Sequence, residues 1–286
     1  MGFFSFMYRQ KMVHPQPIPP QDLSGQTILV TGSNVGIGLA ATRLLMDFKV
    51  SRVIMAVRTI SKGEEAKADL LRQHPNCTIE VWPLDMDSFD SVMAFGKRAQ
   101  ELDRLDIVLL NAGVKKQEWE TNKITGHETT VQVNHLSTAL LSLLLLRPMK
   151  ATAAKLNKPS RMTLTSSEVH MWTQFKERTA PNILDELDDK ANWGNPDRYN
   201  VSKLLNVLWT RELAAKVSPK QIVVNTVNPG LVKSSLHREN TNGAEKKFTE
   251  FFGRTTEEGA RTLVDAAVIQ CPETHGGYLS ECKPTP

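Results

Sequence analysis

The feature that most constrains the fold is a glycine-rich loop between a strand-like segment and a helix-like segment. Residues Thr27–Thr31 are apolar or β-branched, and residues 37–48 have a helical pattern. The loop between them reads Thr31-Gly32-Ser33-Asn34-Val35-Gly36-Ile37-Gly38. Glycines at such a position allow a tight turn and let the backbone approach a pyrophosphate at a helix N-terminus. A glycine triplet alone is a weak signal, but this strand–loop–helix context predicts a dinucleotide site.

The rest of the chain repeats this alternation of strands and helices. Strand-like segments recur at residues 52–57, 78–84, 106–110, 161–165, 222–227 and 277–280. Helix-like segments lie between them at residues 62–73, 88–102, a long stretch through Asn134 and Leu146, 197–216 and 257–269. Short connections between alternating elements predict an α/β fold, a Rossmann-type doubly wound parallel sheet. A length of 286 residues is ordinary for one such domain.

Two kinds of segment stand outside the alternation. Residues 12–20 are proline-rich and predict an extended arm, so residues 1–20 are assigned to an N-terminal arm and residues 21–286 to one dinucleotide-binding and catalytic domain. Residues 168–196 and 231–252 are long connections. Because long connections in a compact α/β domain are usually functional, we expect the first to be an insertion and the second a lid that together shape the substrate site.

The motifs of the chain resemble those of the short-chain dehydrogenase/reductase family, in the same order and over nearly the whole length. The glycine spacing is G-x-x-x-G-x-G rather than the common G-x-G-x-x-G. The later motifs are Asp85, Asn111-Ala112-Gly113, Asn134, Ser166-Ser167, Tyr199 with Lys203, and Pro229-Gly230. One departure is Leu110, which stands where the family usually doubles the asparagine. The long interval from Ser167 to Tyr199 is similar to that of retinol-dehydrogenase-like and fungal secondary-metabolite reductases.

Tyr199 and Lys203 are the predicted centre of the chemistry. A spacing of four places both side chains on one helix face, where a cation can lower the pKa of the phenol. The resemblance implies that Tyr199 protonates a developing alkoxide and that Ser167 hydrogen-bonds the same oxygen. It implies further that Lys203 holds the nicotinamide ribose and that Asn134 binds a water joining Lys203 to solvent. The family places the reactive hydroxyl at the second of two adjacent serines, which selects Ser167 over Ser166.

The end of the second predicted strand predicts the cofactor. An NAD enzyme normally has an acidic residue there to bind the ribose 2′-hydroxyl, but this chain has Val57 and then Arg58. A guanidinium suits a 2′-phosphate, and Lys62 adds charge, so we expect NADP(H). With the positions that the resemblance adds, the predicted cofactor-binding residues are Gly32, Ser33, Asn34, Gly36, Ile37, Gly38, Arg58, Lys62, Asp85, Met86, Asn111, Ala112, Gly113, Tyr199, Lys203, Pro229, Gly230, Val232 and Ser234.

Aromatic residues in the two long connections are candidates for the substrate site. His170, Trp172, Phe175 and Trp193 lie in the insertion. They either line an apolar pocket or anchor the insertion on the domain, and the sequence leaves both readings open. Gly243, Phe248, Phe251 and Phe252 belong to the predicted lid.

Composition argues against several other classes of protein. A net charge of +4 spread over the chain favours neither a nucleic-acid footprint nor a basic membrane patch. Cys77, Cys271 and Cys282 are too scattered for a disulfide framework or a zinc site. His127, His135 and His237 lack the spacing of metal ligands, and no metal is expected.

No transmembrane segment or signal peptide is predicted. Residues 136–146 are apolar but too short to span a bilayer, so a buried helix is expected there. Residues 3–8 are rich in aromatic side chains, which we expect to pack on the domain or a partner, with shallow membrane contact as the alternative. These observations and the scattered cysteines favour a cytoplasmic protein.

The sequence therefore predicts an NADPH-dependent oxidoreductase that reduces a ketone or aldehyde, or oxidises the matching alcohol, of an apolar small molecule of polyketide type. Two alternatives stay open: an enzyme of the same fold with no net redox change, such as an epimerase, dehydratase or cyclase, and a non-catalytic nucleotide sensor. The resemblance implies a homodimer only weakly. It also indicates a chain that is truncated or unusually short, because similar fungal proteins often continue into a further C-terminal helix.

Overall fold

The computed structural model describes residues 3–194, 197–234, 236, 243–270 and 272–285. Its centre is an eight-stranded sheet with the strand order β3-β2-β1-β4-β5-β6-β7-β8. The strands are β1 Thr27–Thr31, β2 Arg52–Val57, β3 Thr78–Pro83, β4 Ile107–Leu110, β5 Ser160–Thr165, β6 Ile222–Asn228, β7 Tyr278–Ser280 and β8 Lys283–Thr285. All neighbouring pairs are parallel except β7 and β8, which form an antiparallel hairpin.

Helices connect the strands and cover the sheet. They are α1 Phe3–Met12, α2 Gly36–Asp47, α3 Ile60–Gln73, α4 Phe89–Ala99, α5 Thr129–Val131, α6 Ser137–Leu156, α7 Ile183–Leu187, α8 Asp197–Lys216, α9 Gly243–Phe252 and α10 Thr256–Val264. A π-helical segment, Gln132–Leu136, joins α5 to α6 into one continuous helix, and a second, Asp265–Ile269, extends α10. Single-turn 3-10 segments lie in the insertion at Glu168–Trp172, Lys176–Thr179 and Lys190–Asn192.

The strand side chains alternate between two hydrophobic layers, as the pleat of a strand requires. In β1, Ile28 and Val30 belong to the layer under α2 and α10, whereas Leu29 belongs to the layer under α4 and α6. All five residues of β1 are buried. A central strand covered on both faces must be apolar throughout, which is why its sequence reads as a continuous run rather than an alternation. The predicted α/β fold with a doubly wound, mostly parallel sheet is confirmed.

The predicted apolar helix at residues 136–146 lies largely in the core. The continuous helix Thr129–Leu156 is, among the described residues, long and apolar enough to cross a membrane, but 61% of its most apolar window is buried inside the protein. Leu141 and Leu145 are fully buried, whereas Leu143 is exposed. Core packing therefore accounts for this apolar run, and the homodimer stays a prediction.

The N-terminal arm begins with a helix that the sequence did not predict. Residues 3–12 form a helix, α1, and only the residues after it lack regular structure as far as β1. The helix packs back on the domain, with Phe6 and Gln10 buried. A ten-residue helix is marginal by its own propensity, so the contacts with the domain stabilise it. The short strand β8 was also not predicted, because three residues containing a proline carry almost no strand signal.

Candidate active site

The glycine loop packs tightly between β1 and α2. Gly32 and Gly36 have φ of 66° and 61°, in the left-handed region that favours glycine. A Cβ atom at Gly38 would lie 2.3 Å from the Gly32 carbonyl oxygen and 2.7 Å from Nδ2 of Asn111. A residue with a side chain would therefore be strained or would clash at each of these three positions. Together the glycines bring the first turn of α2 against the end of β1.

The loop also leaves polar groups without protein partners. Val35, the N-cap residue of α2, makes no side-chain capping hydrogen bond, and Gly36 and Ile37 of the first turn line the cavity. The Oγ atom of Ser33 is fully buried and has no hydrogen-bond partner among the described residues. Because buried hydroxyls are rarely left unpaired, both observations fit an anionic group such as a pyrophosphate at this helix N-terminus.

Thr31 links this loop to the next predicted motif, and sequence reasoning did not single out its side chain. Its Oγ1 accepts hydrogen bonds from the backbone N–H groups of Asn111 and Ala112, each at 2.9 Å. Asn111 Nδ2 donates to the Thr31 carbonyl at 3.1 Å. These bonds fix the chain after β4 beside the glycine loop. A hydroxyl residue at the last position of β1 is the signal that could have predicted the link.

Arg58 and Lys62 lie at one end of the cleft, where the end of β2 leads into α3. Both side chains are exposed and line the cavity. Asp85 and buried Met86 line the adjoining wall. Asp85 Oδ1 accepts a hydrogen bond from the Asp87 backbone at 3.0 Å, which leaves its second oxygen available to a ligand. The predicted phosphate-binding and adenine-binding residues therefore face one continuous space.

The predicted catalytic residues come together at the middle of this cleft. Ser167 follows β5, while Tyr199 and Lys203 lie one turn apart on α8. The Ser167 side chain interacts with the Tyr199 phenol closely enough to lower its pKa. Lys203 Nζ lies 5.6 Å from the centre of the Tyr199 ring and donates to the Thr165 carbonyl at 3.1 Å. A phenol, a hydroxyl and an ammonium group thus surround one point at the carboxyl edge of the sheet.

Burial shifts the pKa values of two of these groups. The pKa of Lys203 falls to about 8 because burial disfavours its charged form. Burial raises the pKa of Tyr199, and the interaction with Ser167 only partly opposes this. The sequence-based expectation that Lys203 lowers the pKa of Tyr199 therefore does not hold in the free protein, where desolvation of the phenol is the larger effect. At neutral pH Tyr199 carries its proton and Lys203 is charged.

Asn134 lies in the π-helical segment between α5 and α6. Its side chain makes two hydrogen bonds to the Val114 backbone: Oδ1 accepts from the N–H at 2.8 Å, and Nδ2 donates to the carbonyl at 2.9 Å. Nδ2 also donates to Ser202 Oγ at 3.0 Å. The Asn134 carbonyl accepts from Asn206 Nδ2 at 2.9 Å. These contacts hold the strand end after β4 against α8. The predicted role of Asn134 in a water relay remains a prediction.

The two adjacent serines have different surroundings. Ser166 is buried, and its hydroxyl donates to the main-chain carbonyl of Lys203 at 2.8 Å. Ser167 is only partly buried, lines the cavity and lowers the pKa of the Tyr199 phenol. Its own carbonyl accepts a bond from His170 Nδ1 at 2.6 Å. The geometry therefore agrees with the choice of Ser167 as the hydroxyl that a substrate would meet.

The segment after β6 closes the cofactor side of the cleft. Pro229, Gly230, Val232 and Ser234 line the cavity. Gly230 has a φ of 81°, and a Cβ atom there would lie 2.7 Å from Nη1 of Arg254. The guanidinium of Arg254 is almost fully buried beneath this turn, so only glycine fits.

One cavity of about 1160 Å³ is lined by most of the predicted cofactor residues and by the catalytic residues Ser167, Tyr199 and Lys203. Ser33, Gly38 and Asn134 are not among the described residues that line it. Beyond Tyr199, its apolar walls are Phe6, Val169, Trp172, Leu231, Leu236 and Phe248. Of the predicted substrate residues, Trp172 lines this space. Phe6 was not among those candidates, although the aromatic run at the N-terminus was a signal that this segment packs on something.

The other three candidate substrate residues have structural surroundings. Phe175 packs with a small hydrophobic cluster that includes Leu187 and Val201, and His170 contacts the Tyr278 ring at 4.6 Å between ring centres. Neither these two nor Trp193 is among the described residues that line the cavity. The contacts of His170 and Phe175 therefore agree with the alternative that these residues anchor the insertion on the domain.

The predicted lid is described only in part, since Ser235 and residues 237–242 lie outside the described residues. Phe248 on α9 lines the cavity and packs on Phe252 with ring centres 4.9 Å apart. Phe251 is exposed. A closing motion of this segment therefore stays a prediction.

Among the residues that the structure describes, the remaining titratable groups form no cluster of metal ligands. Within the described ranges, no group of three or more His, Cys, Asp or Glu side chains could hold a metal ion. Cys77 and Cys282 are free thiols, and Cys271 and His237 lie outside the described residues.

The chain is similar to known proteins both in sequence and in structure. The family model described as short chain dehydrogenase matches residues 26–157. Short chain dehydrogenase sol3 of Alternaria solani is 51% identical over 281 residues, which cover 98% of both chains. Among solved structures, the NADPH-bound carbonyl reductase from chicken fatty liver has a TM-score of 0.65 at 20% identity, over 91% of this chain and 97% of that chain. The 3-ketoacyl-(acyl-carrier-protein) reductase of Brucella melitensis, complexed with NADH, has a TM-score of 0.67 at 18% identity over the same shares. At these identities the solved structures show a shared fold.

Proposed function

Because this chain belongs to the short-chain dehydrogenase/reductase family, we propose that it is an NADPH-dependent enzyme that reduces the ketone or aldehyde of an apolar small molecule. The observation that carries the proposal is that Ser167, Tyr199 and Lys203 line the same cavity as the glycine loop. We propose as substrate a polyketide-type intermediate of fungal secondary metabolism, which suits the apolar walls beyond Tyr199 and the similarity to a fungal relative.

Different residues of the cleft would perform different steps of such a reduction. The bound nicotinamide cofactor would supply the hydride. Ser167 and Tyr199 would both hydrogen-bond the substrate carbonyl oxygen, where negative charge develops as the carbon is reduced. Tyr199 would then transfer its phenolic proton to that oxygen. Because burial raises the pKa of Tyr199, the proton is present at neutral pH when the reaction begins.

Lys203 and Asn134 would support this proton transfer. The charged Nζ of Lys203 is close enough to the Tyr199 ring to stabilise the phenolate left after transfer. Asn134 would hold the wall of the cleft through Val114 and Ser202, and through them the position of α8. Reprotonation of Tyr199 through a water near Asn134 is part of the proposal.

The preference for NADPH over NADH is supported by the charges near the end of β2. Arg58 and Lys62 both line the cleft there, and Val57 occupies the position where an acidic residue would serve NAD. A guanidinium binds a phosphate through two parallel hydrogen bonds, whereas a ribose hydroxyl gains little from it. NADP-bound and NADH-bound enzymes both share this fold, so this choice depends on Arg58 and Lys62.

Replacing Tyr199 with Phe tests the proposed chemistry. The variant keeps the ring and loses the proton donor, so NADPH consumption with a carbonyl substrate should fall by about 10³-fold or more. Binding of NADPH, measured by fluorescence titration, should change little. Turnover by Tyr199→Phe near the wild-type rate would overturn the mechanism.

The stoichiometry of the same assay separates reduction from the alternatives without net redox change. A reductase consumes one NADPH for each product molecule, whereas an epimerase, dehydratase or cyclase forms product while the total NADPH stays constant. Product formation without NADPH consumption would therefore overturn the proposal in favour of that alternative.

A further inference from the structure

We propose that helix α1 is a wall of the substrate site and that Phe6 is a specificity-determining residue that favours aromatic carbonyl compounds over small aliphatic ones. The inference deepens the proposed function and rests on it for the reaction. The binding preference itself is a property of the cavity and can be measured without turnover.

Phe6 and Trp172 form an aromatic corner of the cavity. Their ring centres are 5.1 Å apart and the ring planes are inclined by 89°, an edge-to-face pair. Both residues line the cavity that holds Ser167 and Tyr199. Phe6 is 7% exposed, so its position is defined by packing. Two rings held in this geometry present a flat face and an edge, which aromatic ligands contact favourably.

Gln10 holds α1 against the segment that follows β6. Its Nε2 donates to the Leu231 carbonyl at 2.7 Å and to the Phe252 carbonyl at 3.3 Å. Its Oε1 accepts from the Leu231 backbone N–H at 3.1 Å. The side chain is almost fully buried, so these bonds have no competition from water. The amide therefore joins α1 to a cavity-lining residue and to α9.

Two arginines join the helix to other parts of the site. Arg9 forms an ion pair with Glu168, the residue directly after Ser167. Arg254 donates to the Val13 carbonyl at 2.7 Å and pairs with Glu281 at 2.5 Å. The near-complete burial of Glu168 and Arg254 makes these contacts costly to break. Helix α1 and Val13 directly after it are therefore held by the contacts of Gln10, Arg9 and Arg254, and the Arg9 pair lies next to Ser167. A wall of a selective site requires such fixed positioning.

The chemistry of the walls determines which ligand fits. Leu231 and Phe248 add apolar surface to the aromatic corner. A fused aromatic compound fills such a space and removes more apolar surface from water than a small aliphatic compound can. Phe6 should therefore contribute to binding in proportion to the aromatic surface of the ligand and leave a short aliphatic ligand almost unaffected.

Two variants of the same helix give a matched test. Phe6→Ala removes the ring from the wall, whereas Tyr8→Ala removes a ring that is 64% exposed. Two readouts are used: kcat/KM for 1-naphthaldehyde and for butanal with saturating NADPH, and calorimetric binding of 1-naphthol to the NADP+-loaded enzyme. Phe6→Ala should lower kcat/KM for 1-naphthaldehyde and weaken 1-naphthol binding about tenfold, the order of one lost aromatic contact. Butanal should change less than about twofold, a difference too small to reflect a lost ring contact, and Tyr8→Ala should match the wild type in every measurement.

A third variant is a control for effects of the substitution on folding. Phe6→Leu keeps an apolar side chain, so its NADPH affinity should equal that of the wild type and its 1-naphthol affinity should lie between those of the wild type and Phe6→Ala. Equal losses for 1-naphthaldehyde and butanal, absence of 1-naphthol binding to the wild type, or a Tyr8→Ala effect as large as that of Phe6→Ala would overturn the inference. If no carbonyl compound consumes NADPH while 1-naphthol binding still depends on Phe6, the proposed function fails and the assignment of the wall stands.

Discussion

The Nζ atom of Lys203 lies 5.6 Å from the centre of the Tyr199 ring and donates a hydrogen bond to the Thr165 carbonyl at 3.1 Å. Burial acts on the two side chains in opposite directions, lowering the pKa of Lys203 to about 8 and raising the pKa of Tyr199. Because burial penalises the charged form of each group, Lys203 is the one that titrates near physiological pH. The charge beside Tyr199 therefore depends on pH, and the reaction should too.

Reduction should lose rate as the pH rises through the pKa of Lys203. Lys203 is charged below about pH 8 and neutral above it. We expect log kcat/KM to be level from about pH 6 to 7 and to fall by about one for each pH unit above 8, since kcat/KM reports the free enzyme. Lys203→Arg keeps its charge at every accessible pH, so its residual activity should not fall in this range. The same fall in both proteins would contradict this assignment.

The two adjacent serines should separate activity from stability. Ser167→Ala removes a hydrogen-bond donor from the cleft, so kcat should fall about 10²-fold while the urea midpoint stays nearly unchanged. Ser166→Ala instead removes the donor to the buried Lys203 carbonyl. It should lower the free energy of unfolding by about 1 kcal/mol and retain most of kcat. Urea unfolding and steady-state assays of both variants measure this, and the reverse pattern would show that Ser166 faces the substrate.

Arg58 should control the choice between NADPH and NADH. Arg58→Gln removes a charged partner of the 2′-phosphate, so the Kd for NADPH should rise by about 10–100-fold and that for NADH should change little. Arg72→Gln is the matched control, because Arg72 also lines the cavity but pairs with Asp69. Calorimetric titration of each protein with both cofactors gives the comparison. An unchanged preference in Arg58→Gln would refute the role of Arg58.

Gly38 should not tolerate a methyl group. An alanine Cβ there would lie 2.3 Å from the Gly32 carbonyl, which must move away and displace the loop. Gly38→Ala should therefore weaken NADPH binding by at least about tenfold and cost about 1–3 kcal/mol of unfolding free energy. At Gly194, no described atom lies within 4 Å of an added Cβ, so Gly194→Ala serves as the control. Equal behaviour of the two variants would show that the loop is less constrained than its packing indicates.

Gln10 should contribute to the free energy of unfolding, although it lies in the N-terminal arm. Gln10→Ala leaves the part-buried backbone N–H of Leu231 without its partner, although the Leu231 carbonyl keeps its bond from the Arg254 N–H. It should lower the free energy of unfolding by about 1–3 kcal/mol. Gln16→Ala, which alters an exposed glutamine in the same arm, should have no measurable effect. Thermal and urea unfolding of both variants test this, and a neutral Gln10→Ala would mean that the arm is not held by this amide.

The sequence alone determined the α/β fold, the position of the glycine loop and the spacing that brings Tyr199 and Lys203 onto one face of α8. These depend on local patterns: apolar strands alternate with helices, and glycine permits backbone conformations that other residues avoid. The predicted family membership is confirmed by a relative that is 51% identical over 281 residues. Short-range physics was sufficient for these features because each is fixed by neighbours in the chain.

Only the tertiary structure decided which distant residues meet at the cleft. Phe6 and Trp172 are far apart in sequence, yet their rings touch, and Thr31 is joined to Asn111 by hydrogen bonds across the sheet. The spacing of Tyr199 and Lys203 indicated a lowered pKa for Tyr199, but burial raises it in the free protein, because the cost of burying a phenol depends on everything packed around it. Burial and long-range contact are properties of the whole fold, so the wall formed by α1 and the protonation of Tyr199 could not be read from spacing.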